Sequence, residues 1–219
     1  MNRRQFIAGA GSLSALALQA CSTTDSLQEP LKPKGPSLGY LAMYGPMPEE
    51  RFPIPAVDLA KVPEKYWRKQ VEYDGPHPVG TVIVNTNTFY LHLIQEGGKA
   101  MRYGVGLGRQ GFEWSGDGRI QWKQKWPKWT PPTEMIERQP ELEKWSADNG
   151  GMPPGLENPL GARALYIFQG GNDTLYRIHG SPEYWSIGKA VSSGCVRLMN
   201  QDIIDLYDRV PSGSRLVVV

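Results

Sequence analysis

This 219-residue chain contains very little cysteine: Cys21 and Cys195 are the only two. Histidine is also sparse, and the three present, His77, His92 and His179, are scattered. With one usable thiol they match no recognised zinc spacing, so no metal site is expected. After the first twenty-one residues no apolar run approaches the length of a membrane span. Charge of one sign is missing as well. The formal net charge is +2, and removing residues 1–20, which hold Arg3 and Arg4 but no acid, leaves 22 basic residues against 22 acidic ones. No basic run interleaved with aromatics occurs, so nucleic acid is not an expected partner. Gly104-Val105-Gly106-Leu107-Gly108 follows a strand pattern but opens no helix, so it reads as close backbone packing rather than a nucleotide loop. No cofactor is expected, and the chain shows no internal repeat.

The first twenty-one residues read as an export signal. Arg3-Arg4-Gln5-Phe6-Ile7 is a twin-arginine start, and Ala8 to Ala20 is a weakly apolar, small-residue run too short to hold a bilayer. Leu18-Gln19-Ala20-Cys21 resembles a bacterial lipobox, in which cleavage leaves a cysteine to be acylated. Gln19 is unusual in a lipobox, and cleavage after Ala20 without lipid is the alternative. The expectation is a periplasmic protein lipid-anchored through Cys21 to a membrane. Ser22 in place of an aspartate favours the outer membrane.

Three regions follow: the signal 1–21, a tether and strap 22–78, and a catalytic domain 79–219. Ten of the nineteen prolines fall between Ser22 and Pro78. To about Gly39 the segment is polar and reads as a semi-extended spacer. From Tyr40 to Tyr73, Tyr44, Phe52, Tyr66 and Trp67 predict a strap lying on the domain, with a helical turn near Pro63 to Lys69.

Strand patterns begin at Val79. Thr81 to Asn85 and Thr88 to Gln95 form a meander with turns at Asn85-Thr86-Asn87 and Gly97-Gly98, continuing through Lys99 to Leu107. Ala164 to Gln169, Leu175 to His179 and Arg215 to Val219 add three strands. One helix is predicted after Cys195, capped by Asn200, with Asp202 in its first turn and Ile203, Ile204, Tyr207 and Val210 on one face. Pro211-Ser212-Gly213 ends it. The fold class is therefore mainly β, in mixed sheets or a sandwich with a few short helices. Between Gly108 and Gly161 the strand pattern disappears into a long aromatic loop that holds five of the seven tryptophans. Trp126 and Trp129 either line a substrate groove or plug the core, while Trp114 and Trp145 read as core plugs. Glu134 to Arg138 and Pro140 to Trp145 read as short helices, with Pro140 at a first helical position.

The chemistry concentrates near the carboxyl end. Cys195 lies in Ser192-Ser193-Gly194-Cys195-Val196-Arg197, sixteen positions after His179 of Ile178-His179-Gly180-Ser181. A thiol and an imidazole with a glycine beside each are the parts of an activated nucleophile. A thiol exported to an oxidising compartment is a liability unless it reacts. Together with Ser186-Ile187-Gly188, Trp126-Pro127-Lys128-Trp129-Thr130-Pro131-Pro132 and Asn158 to Tyr166, these motifs resemble the L,D-transpeptidase (YkuD-type) family over about Val79 to Val219. The resemblance implies a β-rich catalytic fold and an enzyme acting on peptidoglycan stem peptides through a cysteine acyl-enzyme. Many members carry histidine where this chain has Ser193, which leaves His179 as the base.

In the residues themselves, a thiol of pKa about 8.5 is only a few per cent ionised at neutral pH. The expectation is that a His179 imidazolium holds Cys195 as thiolate. No acid accompanies either motif, so the Gly180 carbonyl is expected to orient His179, with Asp173 the weaker carboxylate candidate. Gly194 lets the backbone present N–H groups of Cys195 and its neighbours to an oxyanion. Arg197 reads either as the partner of a substrate carboxylate or as a structural salt bridge, and Ser192 and Ser193 as polar loop residues near substrate.

The resulting expectation is an L,D-transpeptidase. Cys195 attacks the bond between the diamino acid and terminal D-alanine of a tetrapeptide stem. The acyl group then passes to an amine on another stem, an outer-membrane protein or a lipoprotein. The alternatives are an L,D-carboxypeptidase or cysteine peptidase that uses water, and an inert peptidoglycan-binding lipoprotein.

Overall fold

Two pairs of adjacent glycines set the register of the sheet. Gly97 and Gly98 have φ of 71° and 66°, and Gly170 and Gly171 have φ of 57° and 86°. Two consecutive positive φ values make the tight turn whose twist matches a hairpin. A computed structural model describes residues 35–108, 115–192 and 194–219, without the Ser192 side chain. The twin-arginine start, the lipobox at Cys21, the polar spacer before Gly35, Trp114 and Ser193 lie outside the described residues. The chain divides at Gly35, and Pro36–Val219 is one compact unit.

The strands in chain order are β1 (Lys69–Glu72), β2 (Val82–Asn85), β3 (Tyr90–Gln95), β4 (Lys99–Gly104), β5 (Leu107–Gly108), β6 (Gly116–Lys125), β7 (Arg163–Gln169), β8 (Asn172–Ser181), β9 (Ala190–Ser192), β10 (Val196–Met199) and β11 (Ser214–Val218). The helices are α1 (Leu38–Met43), α2 (Thr133–Arg138) and α3 (Asn200–Arg209), with short 3-10 turns at Leu59–Lys61, Glu64–Tyr66, Pro140–Trp145 and Tyr184–Ser186. Nine strands form one curled sheet in the order β1-β4-β3-β2-β11-β6-β7-β8-β10, and β5 and β9 form a two-stranded ribbon. The pairs β8–β10 and β2–β11 are parallel. The fold is mainly β, as the strand pattern predicts, built on one mixed sheet rather than a two-sheet sandwich.

One face of the sheet holds the main core. Val82, Val84, Leu91, Leu93, Ile120, Leu165, Ile167, Ile178, Val196, Leu198 and Leu216 pack there against Ile203 and Leu206 of α3 and Val210 at its end. The helix thus seals the inner face with a stripe shifted from the expected one: Leu206 joins Ile203 there, Tyr207 is only partly buried against it, and Ile204 turns to a separate cluster with Ile54, Trp126 and Ala162.

Three expectations are corrected. The region after Gly108 is not strandless, because β6 is a ten-residue strand in the middle of the sheet. Its inward residues in the first half are only Gly118 and Ile120, too few for a visible alternation. Secondly, the strap does more than lie on the domain. Its Lys69–Glu72 pairs antiparallel with β4 as an edge strand, although three of its four residues are exposed. Thirdly, Asn200 does not cap α3. Met199 occupies the cap position, and the Asn200 side-chain oxygen accepts the Ala162 N–H at 2.9 Å.

Candidate active site

The parallel pairing of β8 with β10 builds the site. Val196 is opposite Ile178 and Arg197 opposite His179. Ile178 and Val196 point into the core, so the alternation along each strand sends Arg177, His179 and Arg197 to the other face. Cys195 immediately precedes β10 and is half-buried. The register continued one residue back from Val196 sets it opposite Arg177, one inter-strand gap of about 4.8 Å from β8. A backbone hydrogen bond from Arg177 reaches the cysteine and favours its ionised form.

Several local devices fix this arrangement. Gly194 has φ of 126°, a conformation that side chains disfavour, and lies against the Tyr176 ring. The backbone of Arg197 exchanges two hydrogen bonds with Gly106, of 2.9 and 2.8 Å, so the β4–β5 connection brackets β10. This is the close-packing role expected of the glycine-rich run. On the far side the strap supports the loop between the two motifs. Tyr44, Leu59, Val62, Tyr66 and Trp67 form a buried cluster with Ile187 and Met199.

His179 is buried, and its Nδ1 lies 2.5 Å from the Gly180 carbonyl oxygen. With Nδ1–H donating to that oxygen, Nε2 carries the lone pair and is the basic atom. Asn158 holds the neighbouring loop in place. Its side-chain N–H groups donate to the carbonyls of Pro127, Met152 and Pro153, and its oxygen accepts the Leu160 N–H. The Pro159 carbonyl is thereby set against the histidine. Asp173 is not part of this group. It binds the Arg177 guanidinium at 2.7 and 2.8 Å, which removes it as a candidate to orient His179.

Burial controls the charge state of the pair. It drives the His179 pKa down, and the positive charges of Arg197 and Arg177 add to the effect. The carbonyls of Gly180 and Pro159 oppose it, and the value falls to about 4. Burial also pushes the Cys195 thiol up, more strongly than the Arg177 backbone and the two guanidinium groups pull it down. Burial therefore opposes the expected thiolate–imidazolium pair and favours the neutral thiol and the neutral imidazole. Sequence spacing says nothing about desolvation, and desolvation dominates here.

The remaining expected residues separate. Arg197 makes an ion pair with Glu183 at 2.7 Å, and its Nε is buried without a hydrogen-bond acceptor. Trp126 acts mainly as a plug, with only an edge on a small pocket that it shares with Glu49, Glu50, Arg51, Lys125 and Arg163. It is buried with Ile54, Ala162 and Ile204 against Phe52, and its indole N–H donates to Glu50 at 2.9 Å. Trp129 is half-buried and bridges to Met152. Ser192 ends β9, which leads the chain into Gly194 and Cys195. Arg177 was not anticipated, although its position two residues before His179 on one strand already places the two on the same face.

Fold and site together define a β-sheet protein with a cysteine–histidine pair on one face, flanked by two arginines. A family model for the L,D-transpeptidase catalytic domain (YkuD) matches residues 79–219, and the chain belongs to that family. The chain is 35% identical over 117 residues to the Probable L,D-transpeptidase ErfK/SrfK of Escherichia coli K12, covering 52% of this chain and 36% of that protein. It is 33% identical over 141 residues to the Probable L,D-transpeptidase YbiS of the same strain, covering 62% of this chain and 43% of that one. The chain thus spans less than half the length of these curated relatives. A crystal structure from Brucella melitensis, described as a probable carnitine operon oxidoreductase, is 40% identical with a TM-score of 0.50, covering 74% of this chain and 99% of that one.

Proposed function

We propose that this protein is an L,D-transpeptidase in which Cys195 is the nucleophile and His179 the base. The observation that supports the reading best is the placement of Cys195 and His179 on one sheet face, with His179 Nδ1 fixed on the Gly180 carbonyl. The substrate is the tetrapeptide stem of peptidoglycan. The Cys195 sulfur attacks the carbonyl carbon of the diamino acid while its proton passes to His179 Nε2. Moving that proton before substrate arrives is uphill for a buried neutral pair, so transfer accompanies bond formation.

Backbone N–H groups at Gly194 and Cys195 receive the developing oxyanion. The carbon–nitrogen bond then breaks, and His179 returns the proton to the departing D-alanine amine. An incoming amine attacks the thioester, gives a proton to His179, and the thiol is restored. Arg197 supplies positive charge beside the reacting groups, and its guanidinium, paired with Glu183 in the free protein, is the group that would meet a substrate carboxylate.

Intact-mass spectrometry with a tetrapeptide muropeptide tests the reading. The expected result is an adduct on Cys195 that lacks the mass of D-alanine and is absent from Cys195→Ala. Full turnover by Cys195→Ala removes the mechanism. Tripeptide without cross-linked product, even with added amine, assigns hydrolysis in place of transfer. Attachment to a periplasmic membrane through an acylated Cys21 belongs to the same proposal. Cys21→Ala is expected to move the protein into the soluble periplasmic fraction, and unchanged membrane association counts against the anchor.

A further inference from the structure

β6 carries a bulge that changes where one tryptophan points. Ile120 pairs with Ile167, facing the core, and the next paired residue is Trp122, opposite Tyr166. In a regular strand, residues two apart share a face, and Trp122 would follow Ile120 inward. The extra residue, Gln121, turns it outward instead, onto the face that carries Arg177 and His179. Bulges commonly re-aim a side chain next to a functional site.

The outward indole packs against Tyr166. Trp122 is 50% exposed. Its ring centroid lies 4.1 Å from that of Tyr166, with the rings tilted by 40°, and the Arg177 guanidinium lies 4.3 Å from the Tyr166 centroid. Asp173 clamps that guanidinium through both terminal nitrogens. Arg177 is also the residue whose backbone bonds to Cys195. Trp122, Tyr166, Arg177 and Cys195 therefore form one row across β6, β7, β8 and the start of β10.

The length of this row identifies its occupant. Three gaps of about 4.8 Å put the indole roughly 14 Å from the sulfur. From the acyl carbon of a stem's third residue to its amino end is about 10–11 Å when extended. The lactyl ether that joins the stem to its amino sugar supplies the remainder, so the sugar ring reaches the indole. A pyranose presents a face of C–H groups, which suits the negative face of an indole. On the same sheet face, beyond Gln121, lies a groove of about 530 Å³ lined by Asp117, Arg119, Gln121, Phe168 and Arg215 among others. Its mixture of charged, amide and aromatic groups suits the hydroxyl and acetamido groups of a neighbouring sugar.

We propose that Trp122 is the platform of a saccharide subsite that stacks on the amino sugar bearing the donor stem, so that the enzyme selects glycan-attached stems. The proposal rests on the reading of Cys195 as the nucleophile for stem peptides. Two measurements test it. In the first, kcat/KM is compared for a disaccharide-tetrapeptide and for the same tetrapeptide without sugar. The ratio of the two is expected to fall about tenfold in Trp122→Ala, mainly through KM, and to recover largely in Trp122→Phe. An unchanged ratio overturns the subsite. The second measurement is calorimetric binding of the stem-free disaccharide to the full chain, expected in the wild type and lost in Trp122→Ala. Equal binding by both proteins, or by neither, overturns the subsite. Binding without turnover of either peptide keeps the subsite and removes the acyl-transfer reading instead.

Discussion

Tyr66 of the strap lies so close over Gly188 that a methyl group at that glycine would overlap its ring. Gly188 has φ of 80°, and its N–H donates to the Val105 carbonyl at 2.9 Å. One small residue in the loop between the two motifs thus joins the strap, the β4–β5 connection and the approach to Cys195.

Gly188→Ala should therefore damage both stability and activity. The left-handed backbone alone costs about 1–3 kcal/mol for a residue with a side chain. The overlap with Tyr66 adds to that, because the ring belongs to a buried cluster with Ile187. Thermal unfolding should show a lowered Tm, and the folded fraction should turn over stem peptide more slowly. A normal Tm with normal kcat would mean that the strap does not hold the loop.

The neutral cysteine–histidine pair gives a distinctive pH profile. With His179 at about 4, the base is already unprotonated throughout the neutral range. The acid limb of kcat/KM should lie near pH 4, with no ascending limb near pH 6.5. Because burial raises the Cys195 thiol, alkylation by iodoacetamide should remain slow at pH 7 and accelerate only above the ordinary thiol range. Rapid alkylation at pH 6 would restore the ion pair expected from sequence.

That difference shows what a sequence can display. The His179-Gly180 and Gly194-Cys195 motifs are local, and so is the glycine turn at 97–98, so all were legible. The charge state was not, because desolvation comes from segments distant in the chain, including the loop that Asn158 anchors. β6 was hidden by the bulge at Gln121, which sends Ile120 and Trp122 to opposite faces. β1 was hidden because Lys69-Gln70-Val71-Glu72 has no apolar alternation. Asn200 looks like a cap in isolation, and only folding brings the Ala162 N–H to its side chain.

Beneath the strap, Asp202 is fully buried and accepts a hydrogen bond from Tyr44 at 3.3 Å. Arg68 lies 3.7 Å from Asp202 and 2.9 Å from Asp205, and Tyr103 also donates to Asp205. Burial raises the Asp202 carboxyl to about 7 although Arg68 pulls it down. The folded state therefore binds this proton more tightly than the unfolded chain, whose aspartate titrates near 3.9. The stabilisation from Asp202 is complete below about pH 4 and is lost as pH rises through about 7. Asp202→Asn should remove this component. The stability of wild type relative to the variant should decline by roughly 2–4 kcal/mol between pH 4 and 7.5, read from urea unfolding. A difference that stays flat with pH would show that Arg68 keeps Asp202 ionised throughout.

Trp126 separates a structural role from a binding one. Its indole packs edge-on against Phe52, with centroids 4.9 Å apart, and its N–H donates to Glu50, which also binds Arg163 at 2.6 Å. These contacts tie the strap to β7 and make no use of substrate. Trp126→Phe keeps most of the packing but removes the donor, and should cost about 1 kcal/mol. Trp126→Ala leaves a cavity and should cost about 3–5 kcal/mol. For both variants KM for stem peptide should stay within about twofold of wild type at temperatures where the protein is folded, because less than about 0.5 kcal/mol of binding is at stake. A tenfold rise in KM for Trp126→Phe with little change in Tm would return this indole to the substrate groove.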